Sequence, residues 1–385
     1  MKIFFRNIHL YLSLAAGLVI MICCFTGAVL VFEKELQQML DPQRYFVELS
    51  DTEKQQAKRL PIDSLTKIVK ATYPDAKIGS VKIYPDAERT IEIGVTLKKS
   101  KDAQNKGKAP AAAAPAGPGR PTHTVFINPY SGEITDLYNY RETFFYTMFA
   151  LHRWLLGNDS SIGKTITGVS TLVFLFIIIT GIILWWPKNM AILKQRLKIK
   201  TNANWKRVNH DLHIVLGFYS SIILFIFAFT ALAWSFKWFN DGIYSVTGTT
   251  PKSPEAPKSE YVADTRKAGY DAAFASITAK VPEAQFYTLR APNDSTGTYN
   301  ISVLPIGAHE SASDVYYANQ YTGEIIGDLK FSEKNVGQRV RAAFKPIHVG
   351  SIFGLPSKII AVIVCLLGVS FPITGVIMWI NRLKK

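Results

Sequence analysis

Four long apolar stretches interrupt the mixed pattern of hydrophobic and polar positions along the chain. The stretches at residues 7–32, 165–187, 212–236 and 359–381 contain no Asp, Glu, Lys or Arg. Each can form the roughly 20 residues of helix that cross a hydrocarbon layer about 30 Å thick. A soluble core would have to produce four such stretches by chance, so the pattern predicts a membrane protein. We place the transmembrane helices at residues 8–32, 163–187, 212–237 and 357–381.

The two long segments between these stretches, residues 33–142 and 238–345, have the pattern of small α+β units. In each of them a helical stretch, at about residues 63–72 and 264–280, precedes alternating runs that predict strands joined by turns. The last hairpin of each segment is expected at "SGE" or "TGE". Residues 98–121 are so rich in Ala, Pro, Gly and Lys that they predict a flexible loop.

The chain shows an internal two-fold repeat, in which each half consists of a helix, a long segment and a second helix. The first and third helices share "FT", while the second and fourth share "ITGIILWW" and "ITGVIMWI". Before the second helix lies "RETFFYTMFALHRWLLG", which has one apolar face. This face predicts an interfacial helix at residues 143–158.

The formal net charge of +15 is concentrated on one side of the predicted membrane. The N-terminus, the loop at residues 188–211 and the C-terminal tail hold 12 basic residues and one acidic residue. Residues 33–150 hold 17 basic and 15 acidic residues, and residues 237–347 hold 12 of each. By the positive-inside rule, both termini and the loop are cytoplasmic and the long segments lie outside. The charge therefore implies no nucleic-acid partner, and the first apolar stretch is interpreted as an uncleaved signal anchor.

These patterns together predict a fold class: a membrane protein with a four-transmembrane-helix bundle, two extracytoplasmic α+β modules and an internal two-fold repeat. Cys23, Cys24 and Cys365 all lie in apolar stretches, which argues against disulfides and cysteine metal sites. The sequence "HDLH" does not have the spacing of a zinc protease, and no glycine-rich nucleotide fingerprint follows a strand.

Five of the seven histidines lie at the predicted membrane edges. His9 and His213 each precede the threonine of the shared "FT" by 17 residues, so we expect their imidazoles at the same depth on parallel helices. His210 lies one helical turn before His213, nearer to the water. His152 and His348 occupy matching places in the repeat on the opposite side of the membrane.

Two imidazoles at one level on two helices can take both axial positions of a haem iron. A single interfacial histidine usually makes only ordinary hydrogen bonds, but two matched pairs on opposite faces favour a functional role. The candidate ligands are His9 with His213 and His152 with His348, and His210 is a supporting or alternative ligand. Aromatic residues expected to cover the outer site are Phe149, Trp154, Phe344 and Phe353.

The histidines lie in a set of motifs that resembles a known family. The motifs are "RNIHLYLSL", "LHRWLLG", "RVNHDLHIVLG" and "PIHVG", with the "TG" helix ends and the two "GEI" hairpins. In this combination the chain is similar to the PepSY-associated transmembrane proteins, whose members include bacterial ferrisiderophore reductases of the inner membrane. The resemblance covers almost the whole chain. It implies four spanning helices, two periplasmic PepSY-type modules and two b-type haems held by the histidine pairs.

The leading hypothesis is a di-haem electron conduit of the inner membrane, a transmembrane reductase of a periplasmic ferric chelate such as a ferric siderophore. Because the sequence shows no nucleotide fingerprint, the electron donor is expected to be another protein or a membrane quinol. The basic loop at residues 188–211 is a candidate docking surface for an acidic donor or for anionic lipid. The rival hypothesis is a haem-free PepSY membrane protein that binds peptides, for example by strand addition, or regulates a protease.

Overall fold

The computed structural model describes residues 2–56, 58–97, 121–260 and 267–384. The predicted flexible loop at 98–121 therefore lies outside the described residues, apart from its last residue. The described helices are α1 (Lys2–Val31), α2 (Glu33–Leu40), α3 (Pro42–Tyr45), α4 (Asp51–Gln56), α5 (Ile62–Thr72), α6 (Phe144–Trp154), α7 (Ile162–Trp185), α8 (Met190–Arg196), α9 (Trp205–Asp211), α10 (Gly217–Ser235), α11 (Lys237–Val246), α12 (Tyr270–Lys280), α13 (Val336–His348) and α14 (Leu355–Leu383).

Four helical stretches in the described residues are long and apolar enough to cross a membrane: α1, α7, α9 continuing into α10, and α14. In the bundle, α1 packs against α7 and α14, and α10 packs against the same two helices. Between 28% and 39% of the most apolar window of each stretch is buried. Most apolar side chains therefore face outward, which is unfavourable in water and suits a lipid environment. The chain is a membrane protein.

The third spanning helix differs most from its predicted bounds of 212–237. It begins at Trp205, because the side chain of Asn204 caps α9 by accepting a hydrogen bond from the amide of Arg207. A π-helical turn at Leu212–Leu216 then joins α9 to α10. Much of the predicted loop at 188–211 is thus helical, since it contains both α8 and α9. The other three spanning helices begin one to six residues earlier than predicted.

The helix expected to lie at the interface, residues 143–158, is α6, and it packs against α1 and α7. Its residues Ala150 and Trp154 are buried. Helix α13 packs in a similar way against α10 and α11, and it continues three residues beyond the predicted end of the second long segment at 345. Helices α6 and α13 are therefore the supports through which the long segments meet the bundle.

The strands of the two long segments form one continuous antiparallel sheet, in the order β4-β3-β2-β1-β5-β6-β7-β8. Pairing of β1 with β5 joins the two sets of four strands, with Val81 opposite Leu289. The "SGE" and "TGE" hairpins are confirmed as the β3–β4 and β7–β8 turns. The strands are β1 (Lys77–Ile83), β2 (Ile91–Thr96), β3 (His123–Ile127), β4 (Ile134–Tyr138), β5 (Phe286–Arg290), β6 (Thr298–Leu304), β7 (Asp314–Asn319) and β8 (Ile325–Leu329).

Helices α5 and α12 share one core with the sheet. Leu65 and Val69 of α5 and Ile277 of α12 have no exposed surface in this core. Burial of each such side chain stabilises the fold by about 1.5–3 kcal/mol. The two helices were predicted at about 63–72 and 264–280. The first begins at Ile62 as expected, and the second begins later, at Tyr270.

Two aspartates cap each other's helix. The carboxylate of Asp63 accepts hydrogen bonds from the amides of Tyr270 (2.9 Å) and Asp271 (3.3 Å) at the start of α12. The carboxylate of Asp271 accepts from the amides of Ile62 (2.6 Å) and Asp63 (3.1 Å) at the start of α5. Burial and the adjacent Asp63 carboxylate raise the pKa of Asp271, although the two amides oppose this. These capping hydrogen bonds link α5 to α12, and strand pairing links β1 to β5 in the same way.

Candidate functional site

His9 and His213 face each other near the end of the bundle where α1 begins and α14 ends. Their ring centroids are 6.4 Å apart and the ring planes are at 84°. His9 lies on α1, and His213 lies in the π-helical turn before α10. Such turns are rare and often occur at functional sites. We call these two residues the terminal pair.

His152 and His348 face each other on the side of the bundle next to the sheet, and we call them the sheet-side pair. Their ring centroids are 6.1 Å apart, with the planes at 64°. His152 is on α6 and His348 is the last residue of α13. Burial lowers the pKa of both residues to about 4, so both imidazoles are neutral at physiological pH. A neutral imidazole is the form that binds a metal.

Each of the four histidines is anchored by a threonine of a spanning helix. The distances from histidine Nδ1 to threonine Oγ1 are 3.0 Å for His9 and Thr180, 2.8 Å for His213 and Thr374, 3.1 Å for His152 and Thr26, and 3.2 Å for His348 and Thr230. Each threonine hydroxyl lies within 3.0 Å of the carbonyl oxygen four residues earlier, to which it donates its proton. The threonine oxygen is therefore the acceptor, and Nδ1–H of the histidine is the donor.

These anchors fix the tautomer of the rings. Nδ1 of His9, His152 and His348 also lies 3.0 Å from a backbone carbonyl oxygen, which can only accept. With the proton on Nδ1, the lone pair is on Nε2, which makes no hydrogen bond to the described residues in any of the four histidines. An imidazole held through Nδ1 in this way is the usual arrangement of a metal ligand.

A glycine follows three of the four anchoring threonines and leaves room for the imidazole. A Cβ added to Gly181 would lie 3.2 Å from Cε1 of His9, and one on Gly375 would lie 3.3 Å from Cε1 of His213. The corresponding distance from Gly27 to His152 is 3.4 Å. The fourth threonine, Thr230, is followed by alanine. The "TG" at the helix ends thus has a local role: threonine orients the ring, and glycine lets its edge approach the helix.

The paired geometry fits haem better than a bare metal ion. In the described residues, no group of three or more His, Cys, Asp or Glu side chains is placed to hold a metal. A bare zinc site needs more protein ligands than two, whereas haem iron needs only axial ones. With metal–nitrogen bonds of about 2.0 Å and about 1.1 Å from nitrogen to ring centre, two imidazoles on opposite sides of one metal ion would have centroids about 6.2 Å apart. The observed 6.4 and 6.1 Å match this spacing.

A cavity of about 470 Å³ adjoins the terminal pair, within the usual size of cofactor sites. Its walls are largely apolar. A Cβ added to Gly217 would meet only Phe371, at 3.9 Å, so the space beside this glycine is open. Five helix glycines line the cavity: Gly17, Gly181, Gly217, Gly368 and Gly375. At four of these five glycines an added Cβ would lie 3.4 Å or less from another side chain, so only Gly217 opens onto unfilled space.

His210 lines the same cavity, but the ring contact of His9 in the described residues is with His213. Its side chain is 43% exposed, and its Nδ1 lies 3.3 Å from a carboxylate oxygen of Asp211. Asp211 is completely buried and also accepts hydrogen bonds from Arg207 and from the amide of Lys200. His210 therefore lies beside the terminal pair, in the place of a supporting residue.

The residues next to the sheet-side pair differ from those expected. Trp234 and Phe227 contact the ring of His348, with centroids 5.5 and 6.0 Å away. Phe353, expected to cover the site, is 79% exposed, and Phe344 packs against Phe229 instead. Trp154 is buried and packs against Phe149. Sequence reasoning also missed the role of the four threonines, although the repeated "FT" and "ITG" contained the signal.

The fold defines a membrane protein in which four spanning helices are joined to one antiparallel sheet and enclose facing histidine pairs. The family model described as "PepSY-associated TM region" matches residues 6–382, and the chain belongs to this family. The family expected from the sequence motifs is thus confirmed. No curated protein matches the chain.

Proposed function

We propose that the protein is a di-haem b electron-transfer protein of a bacterial inner membrane that reduces a ferric chelate, such as a ferric siderophore. The observation that carries this proposal is the presence of two facing histidine pairs, each with Nδ1 anchored and Nε2 free. The pairs would be the axial ligands: His9 with His213, and His152 with His348. When bound, haem iron would supply one-electron oxidation and reduction at each site.

The positions of the two pairs suit transfer across a membrane. His9 and Thr26 are on the same helix, 17 residues apart, which corresponds to about 25 Å of helix rise. Because Thr26 anchors His152, the two pairs are separated by most of the roughly 30 Å hydrocarbon thickness. Apolar residues of the spanning helices line much of the cavity beside the terminal pair, and such an apolar shell would tune the potential of the bound group.

The orientation of the protein in the membrane follows from the distribution of its basic residues. With the basic termini and the loop at residues 188–211 in the cytoplasm, the sheet lies in the periplasm. The symmetric strand order about β1 and β5, and the matching threonine–histidine contacts, support an internal two-fold repeat with two PepSY-type modules. The donor on the cytoplasmic side would be a protein or a quinol. The basic loop would dock an acidic donor or anionic lipid.

The first test is an absorption spectrum of the full chain, purified in detergent after expression with ample haem, before and after reduction with dithionite. We expect a Soret band, split reduced α bands and two haems per chain by haemochrome assay. His213→Ala should remove about half of the haem, and His210→Ala should leave most of it. His123→Ala, in strand β3, is the matched control and should lose none. A wild-type protein without a Soret band would rule out the di-haem proposal and favour the haem-free, peptide-binding alternative.

The second test concerns the substrate. The reduced protein is mixed anaerobically with ferric chelates of several classes, and reoxidation is followed at the Soret band. The same chelates loaded with Ga³⁺ are the controls, because Ga³⁺ has the charge and size of Fe³⁺ but accepts no electron. We expect reoxidation with at least one ferric chelate and none with its gallium form. If no ferric chelate reoxidises the protein, the substrate assignment is wrong while the haem assignment stands.

A further inference from the structure

The lining of the cavity beside the terminal pair changes from apolar residues at its inner part to basic residues at the end of the bundle. Its inner part is lined by apolar residues such as Ile20, Leu224 and Gly368. Towards the bundle end, where α1 begins and α14 ends, the lining residues include three arginines: Arg6, Arg196 and Arg382. None of the lining residues that the structure describes is acidic. A ligand that fits this cavity has an apolar body and an anionic edge.

The arginines are placed relative to the histidines by helix geometry. Arg6 lies three residues before His9 on α1, and Arg382 lies seven residues after Gly375 on α14. Spacings of three and seven put residues on the same helix face, so both guanidinium groups share the face that contacts the terminal pair. Arg6 and Arg382 make no ion pair or side-chain hydrogen bond with the described residues.

Arg196 is fixed in position. One of its terminal nitrogens donates to the carbonyl oxygens of Leu184 (3.0 Å) and Trp185 at the end of α7. These carbonyls have no partner inside the helix, and the helix dipole favours a cation here. Because a guanidinium has five N–H donors, Arg196 keeps further donors for a ligand.

We propose that Arg6 and Arg382, together with Arg196, bind the two propionate carboxylates of the haem held by His9 and His213. This inference rests on the proposed function. Haem carries both carboxylates on one edge of an otherwise apolar disc, as the cavity requires. Arginine forms paired, charge-assisted hydrogen bonds with carboxylates. The propionates would therefore point to the basic end of the bundle, and the apolar edge would point to its centre.

The positive-inside rule alone accounts for the number of these charges but not for their position. Lys2 and Lys384 are equally cationic and lie close by in the chain, yet neither lines the cavity. They are the matched controls for Arg6 and Arg382. The phosphate of an anionic lipid has similar chemistry, so the experiment must separate the two sources of negative charge.

The test compares haem with haem dimethyl ester, in which both carboxylates are blocked, for binding to the full-length apoprotein. The wild type should hold haem about tenfold or more tightly than the ester at one of its two sites. The double variant Arg6→Gln/Arg382→Gln should lose most of this preference at that site, because only Arg196 remains, whereas Lys2→Gln/Lys384→Gln should behave as wild type. In a redox titration, the arginine variant should lower the midpoint potential of one haem and leave the other unchanged, because the uncompensated carboxylates stabilise ferric iron.

An equal affinity of the wild-type protein for haem and ester would overturn the propionate assignment while leaving the di-haem proposal intact. The assignment also fails if the arginine variant keeps its preference for haem but loses phosphatidylglycerol binding from vesicles, because the arginines would then be a lipid site. A wild-type protein that binds neither porphyrin would remove the proposed function itself.

Discussion

Thr26 lies on the same helix as His9, yet it accepts a hydrogen bond from Nδ1 of His152, 3.1 Å away. Helix α1 therefore takes part in both histidine pairs. It contains His9 of the terminal pair, and its Thr26 orients His152 of the sheet-side pair. The third spanning stretch, α9 continuing into α10, does the same, because its π-helical turn carries His213 and Thr230 of α10 anchors His348. The geometry of the sheet-side pair thus depends on the helices that also hold the terminal pair.

The anchoring role of Thr26 gives the first prediction. Thr26→Val keeps the shape of the side chain but removes the acceptor of Nδ1–H, so the imidazole of His152 loses part of its orientation. Loss of such a support typically weakens metal binding about 10–100-fold. We expect haem to dissociate faster from one of the two sites when apomyoglobin is added as an acceptor.

The matched control for this change is Thr167→Val. Thr167 is also buried in a spanning helix and bonds the carbonyl of Gly163 at 2.9 Å, but it anchors no histidine. Thr167→Val should leave the rate of haem dissociation from both sites unchanged. Equal effects of the two variants would mean that Thr26 acts only through helix packing.

The open space beside Gly217 gives the second prediction. Gly217→Leu should fill part of the cavity, because an added Cβ would meet only Phe371. We expect the variant to fold, since replacing a helix glycine favours the helix by about 0.5–1 kcal/mol, and to bind one haem instead of two. Haem is counted by the haemochrome assay, and folding is checked by size-exclusion chromatography.

Gly242 of α11 provides the comparison, because a Cβ there would meet nothing within 4 Å and the residue does not line the cavity. Gly242→Leu should keep both haems. Two haems in Gly217→Leu would show that the cavity is not the binding site.

The reciprocal caps give a prediction about pH. The pKa of Asp271 is raised in the folded protein, by burial first and by the Asp63 carboxylate as well. Folding therefore favours the protonated form. The stability that this protonation contributes is fully present below the pKa of Asp in the unfolded chain, about 3.9. It is lost as the pH rises through the raised pKa of Asp271 in the folded protein. Near neutral pH, the two carboxylates repel each other.

Asp271→Asn keeps one carbonyl oxygen to accept from the amide of Ile62 and removes the charge. We expect the variant to melt at the same or a higher temperature than wild type at pH 7, and the difference to shrink as the pH falls towards 4. Scanning calorimetry of the full chain in detergent measures this. Asp75→Asn, at an exposed carboxylate outside the pair, should show no such trend. A lower melting temperature for Asp271→Asn at pH 7 would contradict the raised pKa.

The core under the sheet gives the fourth prediction. Leu65 has no exposed surface, and shortening a buried leucine to alanine typically costs about 2–5 kcal/mol. Leu65→Ala should lower the free energy of unfolding of the sheet region by this amount, as measured by hydrogen exchange of the amides in β1 and β2. Leu40→Ala, at a position that is 65% exposed, should change it little. The haem spectrum should be unchanged in both.

The membrane helices and the pairing of histidines could be predicted because both follow from residue counts along the chain, namely the length of an uncharged stretch and the spacing to a shared motif. Long uncharged stretches must span lipid, and equal spacing to a shared "FT" puts His9 and His213 at one level. The helix starting at Trp205 was predicted seven residues late, because polar residues such as Asn204 and Lys206 obscure a helix that continues beyond its apolar part. Charge marks the edge of the membrane better than it marks the end of a helix.

The contacts of the histidines could not be predicted in the same way. Thr180 and Thr374 were used as depth markers, and only the packing of α7 and α14 shows that they bond His9 and His213. The residues around His348 depend on how α13 meets α10, which no local pattern encodes, so Trp234 was missed. The single sheet was missed for a similar reason, since pairing of β1 with β5 is a long-range contact.

That pairing has a consequence for any attempt to divide the protein. Strand β1 has seven residues, and in the whole chain its outer side is covered by β5. A truncated chain that ends before β5 would leave this edge bare, with Val81 and Ile83 no longer shielded. Bare, regular edges recruit other strands. A fragment of the first half should therefore form β1-to-β1 dimers or aggregates, so that neither half can be produced as a smaller working unit.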